Sequence, residues 1–209
     1  MAIANYADLL SDVADYLDRN DLTSKIPDFV IMAESLFNYG DKEREFNAIR
    51  SRDMETIGTA TPSSGAVTIS GNVLDMIRVV YKSDPRVTLE YVSPTSLDEM
   101  YGTTNSGDPK VYTLLGTTLS FRPTGGSDIE YVYYTKIPPL VDNLTNWLMT
   151  ANPQAYIFAT LYYAHIFLKD PEAALAMLQL TRGALGGLAQ TNLFNRSGSM
   201  SVRSHAVAW

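Results

Sequence analysis

The amino-acid sequence predicts an α+β protein with a four-helix core, an inserted and mainly antiparallel β lobe, and an extended C-terminal arm. Three observations predict it. Apolar residues recur at helix spacing up to about residue 50, at strand spacing from 51 to 137, and at helix spacing again from 138 to 190. Turn signals punctuate the middle stretch closely, as a series of short strands requires. Residues 191–209 follow neither period and are rich in Asn, Ser and Arg. No internal repeat of fixed period is present. The economical solution is a helical core of 1–50 with 138–190, a lobe of 51–137 inserted into it, and the arm 191–209.

Each element has its own signal. Tyr6, Leu9, Leu10, Val13, Tyr16 and Leu17 make one apolar helix face, with Asn5 placed as N-cap and Asp8, Asp12, Asp15 and Asp18 on the other faces. Arg19-Asn20-Asp21 stops that helix. Thr23 or Ser24 is placed to cap a second one, with Pro27 in its first turn and Ile26, Phe29, Val30, Ala33, Leu36 and Phe37 as its buried stripe. Gly40 ends or interrupts it, and the charged run 41–49 is expected to add a helical turn or two.

Strands are expected at 54–59, 66–70, 76–81, 87–92, 110–115, 118–121 and 129–136, separated by turns such as Pro62-Ser63-Ser64-Gly65 and Gly116-Thr117. Between the fourth and fifth, Ser93-Pro94 caps and opens a short helix to Tyr101. Asn152-Pro153 starts a helix that is apolar nearly all round and therefore central. Asp170-Pro171 breaks the chain before a last helix through Ala174, Leu178 and Leu188, expected to fray at Gly186-Gly187.

Composition narrows the function classes. The absence of cysteine removes disulfides, thiolate metal sites and thiol nucleophiles. The net charge of −7 is opposite to what nonspecific wrapping of nucleic acid needs. The same charge suits either a wall along which DNA passes without sticking or simple solubility. No Sec-type leader and no run of about 18 apolar residues is seen, so a soluble chain with no membrane partner is expected.

Catalytic readings are poorly supported. Of the two histidines, His165 falls in the apolar central helix and reads as structural, and His205 falls in the arm. No nucleophile elbow, phosphate-binding glycine loop or paired-histidine zinc motif occurs, so no cofactor or metal is expected. Asp98-Glu99 could supply half of a glycosidase carboxylate pair, the basis of an alternative reading as a cell-wall hydrolase. The thirteen tyrosines, crowded at Tyr131, Tyr133 and Tyr134 with Tyr91, Tyr101 and Tyr112, read as cross-strand packing or a subunit contact rather than a stacking surface for single-stranded nucleic acid, because few bases accompany them.

The arm carries the candidate binding residues: Phe194, Arg196, Arg203, Val207 and Trp209. It has bases but no acids and ends on a tryptophan among small residues, the kind of anchor found at protein interfaces. It is too poor in apolar residues to fold alone and is expected to order on a partner.

Several segments resemble a known family. They are Tyr6-Ala7-Asp8-Leu9-Leu10, the run Ile26 to Glu34, Leu89-Glu90-Tyr91-Val92-Ser93-Pro94, Leu97 to Tyr101, Pro109 to Thr113, Tyr133 to Leu140, and Asn146-Trp147-Leu148. In this order and spacing they resemble the head-to-tail adaptor proteins of short-tailed phages, over about residues 5–180. The resemblance implies a structural virion protein at the head–tail junction, assembled from the host cytoplasm, and not an enzyme. It implies a ring of neighbouring copies, twelve in number, docked on the portal protein, with a downstream tail or nozzle protein below. Double-stranded DNA would pass through without sequence-specific binding. It also implies portal docking through the C-terminal segment. Another virion ring role, in a tail tube or head closure, is the nearest alternative.

Overall fold

The structure, a computed structural model, describes residues 3–102, 106–126 and 128–196. The chain divides into two compact units. One joins the residues up to Arg52 with those from Ile137 onward, and the other is Asp53–Lys136.

The first unit is helical. Helix α1 (Tyr6–Leu17) opens on a reciprocal cap: the Asn5 side chain accepts the Asp8 N–H at 3.1 Å, and the Asp8 carboxylate accepts the Ala4 N–H at 3.0 Å. Two donors that no helical turn can satisfy are thereby paired. Helix α2 (Ile26–Tyr39) follows Lys25 and carries no side-chain cap, so neither Thr23 nor Ser24 takes the expected role. It ends at Gly40, whose φ of +70° sits in the left-handed region that glycine tolerates. The expected helical continuation over 41–49 does not form. Asp41 and Phe46 instead exchange both backbone hydrogen bonds, at 2.7 and 2.8 Å, and turn the chain back on itself.

Helix α3 (Pro94–Met100) belongs to the second unit. In the first unit, α4 (Trp147–Ala151) leads through Asn152 into α5 (Pro153–Phe167) and α6 (Pro171–Arg196). Helix α5 is the expected central helix. It packs against α1, α2, α4 and α6, and Tyr156, Ala159, Thr160, Leu161 and Ala164 are all buried. Tyr156 meets Phe37 of α2 edge to face, with ring centroids 5.2 Å apart. Helix α6 presents Ala174, Leu178 and Thr181 inward at helix spacing. It does not stop at residue 190: the backbone stays helical through Gly186-Gly187 to Arg196, so the first six residues assigned to an extended arm are helix.

The second unit holds two four-stranded sheets among the described residues. The first has the order β1 (Glu55–Ala60), β8 (Ile129–Thr135), β3 (Val73–Tyr81), β4 (Val87–Thr88), all antiparallel. The second has the order β2 (Ala66–Thr68), β7 (Thr118–Arg122), β6 (Val111–Leu115), β5 (Glu90–Tyr91), and only its β5–β6 pair is parallel. The single strand expected over 87–92 is thus two strands in two sheets. The crossing point is buried Leu89, whose N–H donates to Val79 while the next N–H, of Glu90, donates to Lys110. Val79, Tyr81, Leu89, Leu119, Phe121 and Ile129 contribute to one shared core. Gly58 faces Tyr131 across β1 and β8, and a Cβ there would stand 2.4 Å from the tyrosine ring, so the ring covers the glycine backbone.

Candidate interaction surfaces

Several exposed groups are held on rigid backbone. The segment from Ile137 to Asn146 is held by a buried polar seam. The Ile137 N–H donates to the Asn38 side-chain oxygen at 3.0 Å, and the Leu140 N–H donates to Glu34 Oε1 at 2.8 Å. Asn146 Nδ2 donates to the Pro138 carbonyl at 2.8 Å and to the Tyr156 hydroxyl at 2.7 Å, while Asn146 Oδ1 caps α4 by accepting the Met149 N–H at 2.9 Å. The Tyr6 N–H fixes the far end by donating to the Leu144 carbonyl at 2.8 Å. Burial pushes the Glu34 carboxyl up to about 7, against the lowering effects of the Leu140 N–H and the Tyr156 hydroxyl. Burial, with Glu34 beside it, raises the Tyr156 phenol as well.

This seam holds a loop whose outward residues are apolar: Val141 is 57% exposed and Leu144 is 80% exposed. On α2, Ile31, Met32 and Tyr39 are exposed on the face away from the buried stripe. On α6, Leu175 and Leu180 are exposed. Exposed large apolar groups on held backbone mark contact surfaces more often than single scattered ones do.

Two hollows lie in the helical unit. One, of about 410 Å³, lies between the 45–50 segment and α6 and is lined by Phe46, Ala48, Ile49, Leu185 and Leu188 together with Glu45, Arg50 and Arg182. Its first wall is fixed by Ile49 N–H donation to Phe37 and Arg50 Nη1 donation to Asn38, both to carbonyl oxygens. Arg182 donates to the Arg44 carbonyl and ties the walls together. Arg44 in turn bonds Asp41, holding that carboxyl below its usual range. The second hollow, of about 560 Å³, lies between α1 and the start of α5, with Asp12, Asp15, Tyr16 and Phe158 among its lining.

Of the sequence-predicted binding residues, Phe194 and Arg196 lie on the last turns of α6, and their side chains are outside the described residues. Arg203, Val207 and Trp209 lie outside the described residues altogether. Asp98 and Glu99 are exposed on α3. His165 is mostly buried, with Nδ1 3.9 Å from the Asp170 carboxylate, and Asp170 also caps α6 by accepting the Ala173 N–H. Among the described residues no group of acidic or histidine side chains is disposed to hold a metal, and no helix is long and apolar enough to cross a membrane. Tyr131 and Tyr133 stack at 6.0 Å, and Tyr91 meets Tyr112 at 5.6 Å, so these rings pack on one another within the sheets.

The α2 surface and the two hollows were missed in the sequence. The signal for α2 was present, since Ile31, Met32 and Tyr39 are apolar residues off the buried stripe. Nothing signalled the 45–50 wall, because its turn depends on a backbone exchange that leaves no residue pattern.

A family described as SU10 adaptor protein matches the chain over residues 4–203. No curated protein matches it.

Proposed function

The chain belongs to the SU10 adaptor protein family, a phage head-to-tail adaptor family, and on that premise we propose that its copies close into a ring that joins the portal to the tail. The match spanning residues 4–203 carries this reading, because it takes in both units and the whole of α6. Twelve copies would extend the channel for double-stranded DNA. With a net charge of −7, the chain would let DNA pass without strong retention.

The role is geometric rather than chemical. Neighbouring copies would meet head to tail around the ring. The C-terminal segment, with Phe194, Arg196, Arg203, Val207 and Trp209, would reach the portal protein, and Trp209 would serve as its anchor. Helix α6 would carry that segment outward: 26 residues of helix span about 39 Å. A tail or nozzle protein would bind below. Assembly would take place in the host cytoplasm.

The test is electron microscopy of the full chain, alone and mixed with the portal of the same phage, beside a chain ending at residue 196. The cut is placed there because α6 is helical to Arg196. The expected result is a portal-bound ring from the full chain and weakened docking from the shortened one. Absence of portal binding by the full chain would overturn the adaptor reading in favour of another virion ring role. Undiminished docking of the shortened chain would overturn the anchor.

A further inference from the structure

The two hollows of the helical unit are complementary in charge. The cleft beside α6 has an apolar floor, with Phe46, Ile49, Leu185 and Leu188, and two guanidinium groups, Arg50 and Arg182, against the single carboxylate of Glu45. The α1 face has no base between Tyr6 and Leu17, and it sets Asp12 and Asp15 beside Tyr16, which is 65% exposed. An exposed tyrosine beside two carboxylates is a knob of the size and charge that such a cleft accepts.

The positions also agree. The α1 hollow reaches Pro153–Phe158 at the start of α5. The cleft lies at the same level, because Asn152 Nδ2, just before α5, donates to the Ala184 carbonyl of α6 at 2.6 Å. Helices α1 and α6 each pack on α5, and the two hollows share no lining residue. Two different, non-overlapping patches on one chain allow a head-to-tail contact, the kind that repeats around a ring.

We propose that the occupant of the cleft is a second copy of this chain: Tyr16 of one copy seats on the Phe46–Leu188 floor of the next, with Asp12 and Asp15 facing Arg182 and Arg50. The inference rests on the ring reading and names its joint. Charge complementarity selects this occupant over the C-terminal segment, whose Arg203 would meet two further cations.

The experiment reverses one charge on each side. Asp15 and Arg182 are both exposed. Arg182→Asp also gives up the bond to the Arg44 carbonyl, so Arg182→Ala, which gives up that bond without reversing the charge, is run beside it, and circular dichroism checks the fold. Each full-length variant is mixed with the portal, and ring-bearing portals are counted by electron microscopy. Either reversal alone is expected to lower the ring fraction by about tenfold. The double reversal in one chain restores it, as does an equal mixture of the two single variants, since every joint in an alternating ring is again complementary. Tyr16→Ala, which changes no charge, is expected to lower the ring fraction too. Normal rings from either single reversal, or a double variant as poor as the singles, would overturn the joint while leaving the adaptor reading intact. Loss of rings with Arg182→Asp but not Asp15→Arg would overturn it. A wild-type chain that forms no ring on the portal would remove the adaptor reading and this joint together.

Discussion

Glu34 Oε1 accepts the Leu140 N–H at 2.8 Å, joining α2 to the returning chain across 106 residues of sequence. Glu34 is 6% exposed, and burial holds its carboxyl protonated up to about 7. A neutral carboxyl still offers its carbonyl oxygen to the Leu140 N–H, so protonation keeps the tether and removes the buried charge. The bond therefore fixes where the exposed Val141–Leu144 loop sits.

The first prediction follows from the sign of that shift. Below the ordinary value of 4.5, Glu34 is protonated in the folded and unfolded chain alike and adds no pH dependence. Between 4.5 and about 7 the unfolded chain gives up the proton while the folded one keeps it, so stability falls as pH rises. The full loss is on the order of 3 kcal/mol. Urea unfolding at about pH 5 and about pH 8 should show it, and Glu34→Gln should flatten that part of the profile, because the amide oxygen still accepts the Leu140 N–H. An unchanged slope in Glu34→Gln would place the pH dependence elsewhere.

Tyr156→Phe tests the other end of the seam. The substitution keeps the ring against Phe37 and leaves Asn146 Nδ2 its bond to the Pro138 carbonyl. It removes the hydroxyl that accepts from Asn146 at 2.7 Å and stands 3.5 Å from Glu34 Oε1. The expected cost is about 1–2 kcal/mol, read as a lowered urea midpoint at unchanged m-value. Tyr156→Ala would cost more, about 3–5 kcal/mol, because it opens a cavity at one of the largest fully buried side chains.

Gly40→Ala should be among the most damaging single-atom additions in the helical unit. The residue has a positive φ of 70°, and a Cβ would lie 2.5 Å from the Phe46 carbonyl oxygen and 2.7 Å from the Ala48 nitrogen. Both are backbone atoms of the turn that walls the cleft, so relief requires breaking the Asp41–Phe46 exchange. A loss of about 3 kcal/mol or more is expected, measurable as a fall in thermal midpoint.

Periodicity made most elements legible, since a buried helix or strand must repeat its apolar residues at its own period. Asn5, Ser93 and Asn152-Pro153 marked three helix starts correctly. What sequence reading missed were tertiary decisions. The alternating run 87–92 suits one strand, but Leu89 finds burial only where the chain passes from one sheet to the other. The charged run 41–49 can form a helix, but Gly40 turns it into a wall that packs beside α6. Asn146 and Glu34 read as ordinary polar residues, because their value lies in partners far along the chain. The candidate surfaces were least legible of all: a cleft belongs to two distant segments at once, and neither carries its pattern alone.

The glycines of α6 show the same limit and supply the last prediction. Gly183, Gly186 and Gly187 suggest a helix that weakens, since glycine disfavours helix by about 1 kcal/mol relative to alanine. Yet the helix runs past all three to Arg196. A Cβ at Gly183 or Gly186 would meet nothing within 4 Å, so these glycines are not required by packing within the chain. Gly183 is exposed and does not line the cleft, so Gly183→Ala should raise stability by about 0.5–1 kcal/mol and leave ring formation unchanged. Gly186 does line the cleft. Gly186→Ala should stabilise the isolated chain by a similar amount but weaken the joint if a neighbour's Tyr16 seats there. Thermal unfolding of both variants, set beside their ring fractions on the portal, separates the two glycines. Equal gains in stability with unequal loss of rings is the expected outcome, and a Gly186→Ala chain that assembles as well as Gly183→Ala would count against close packing at that wall.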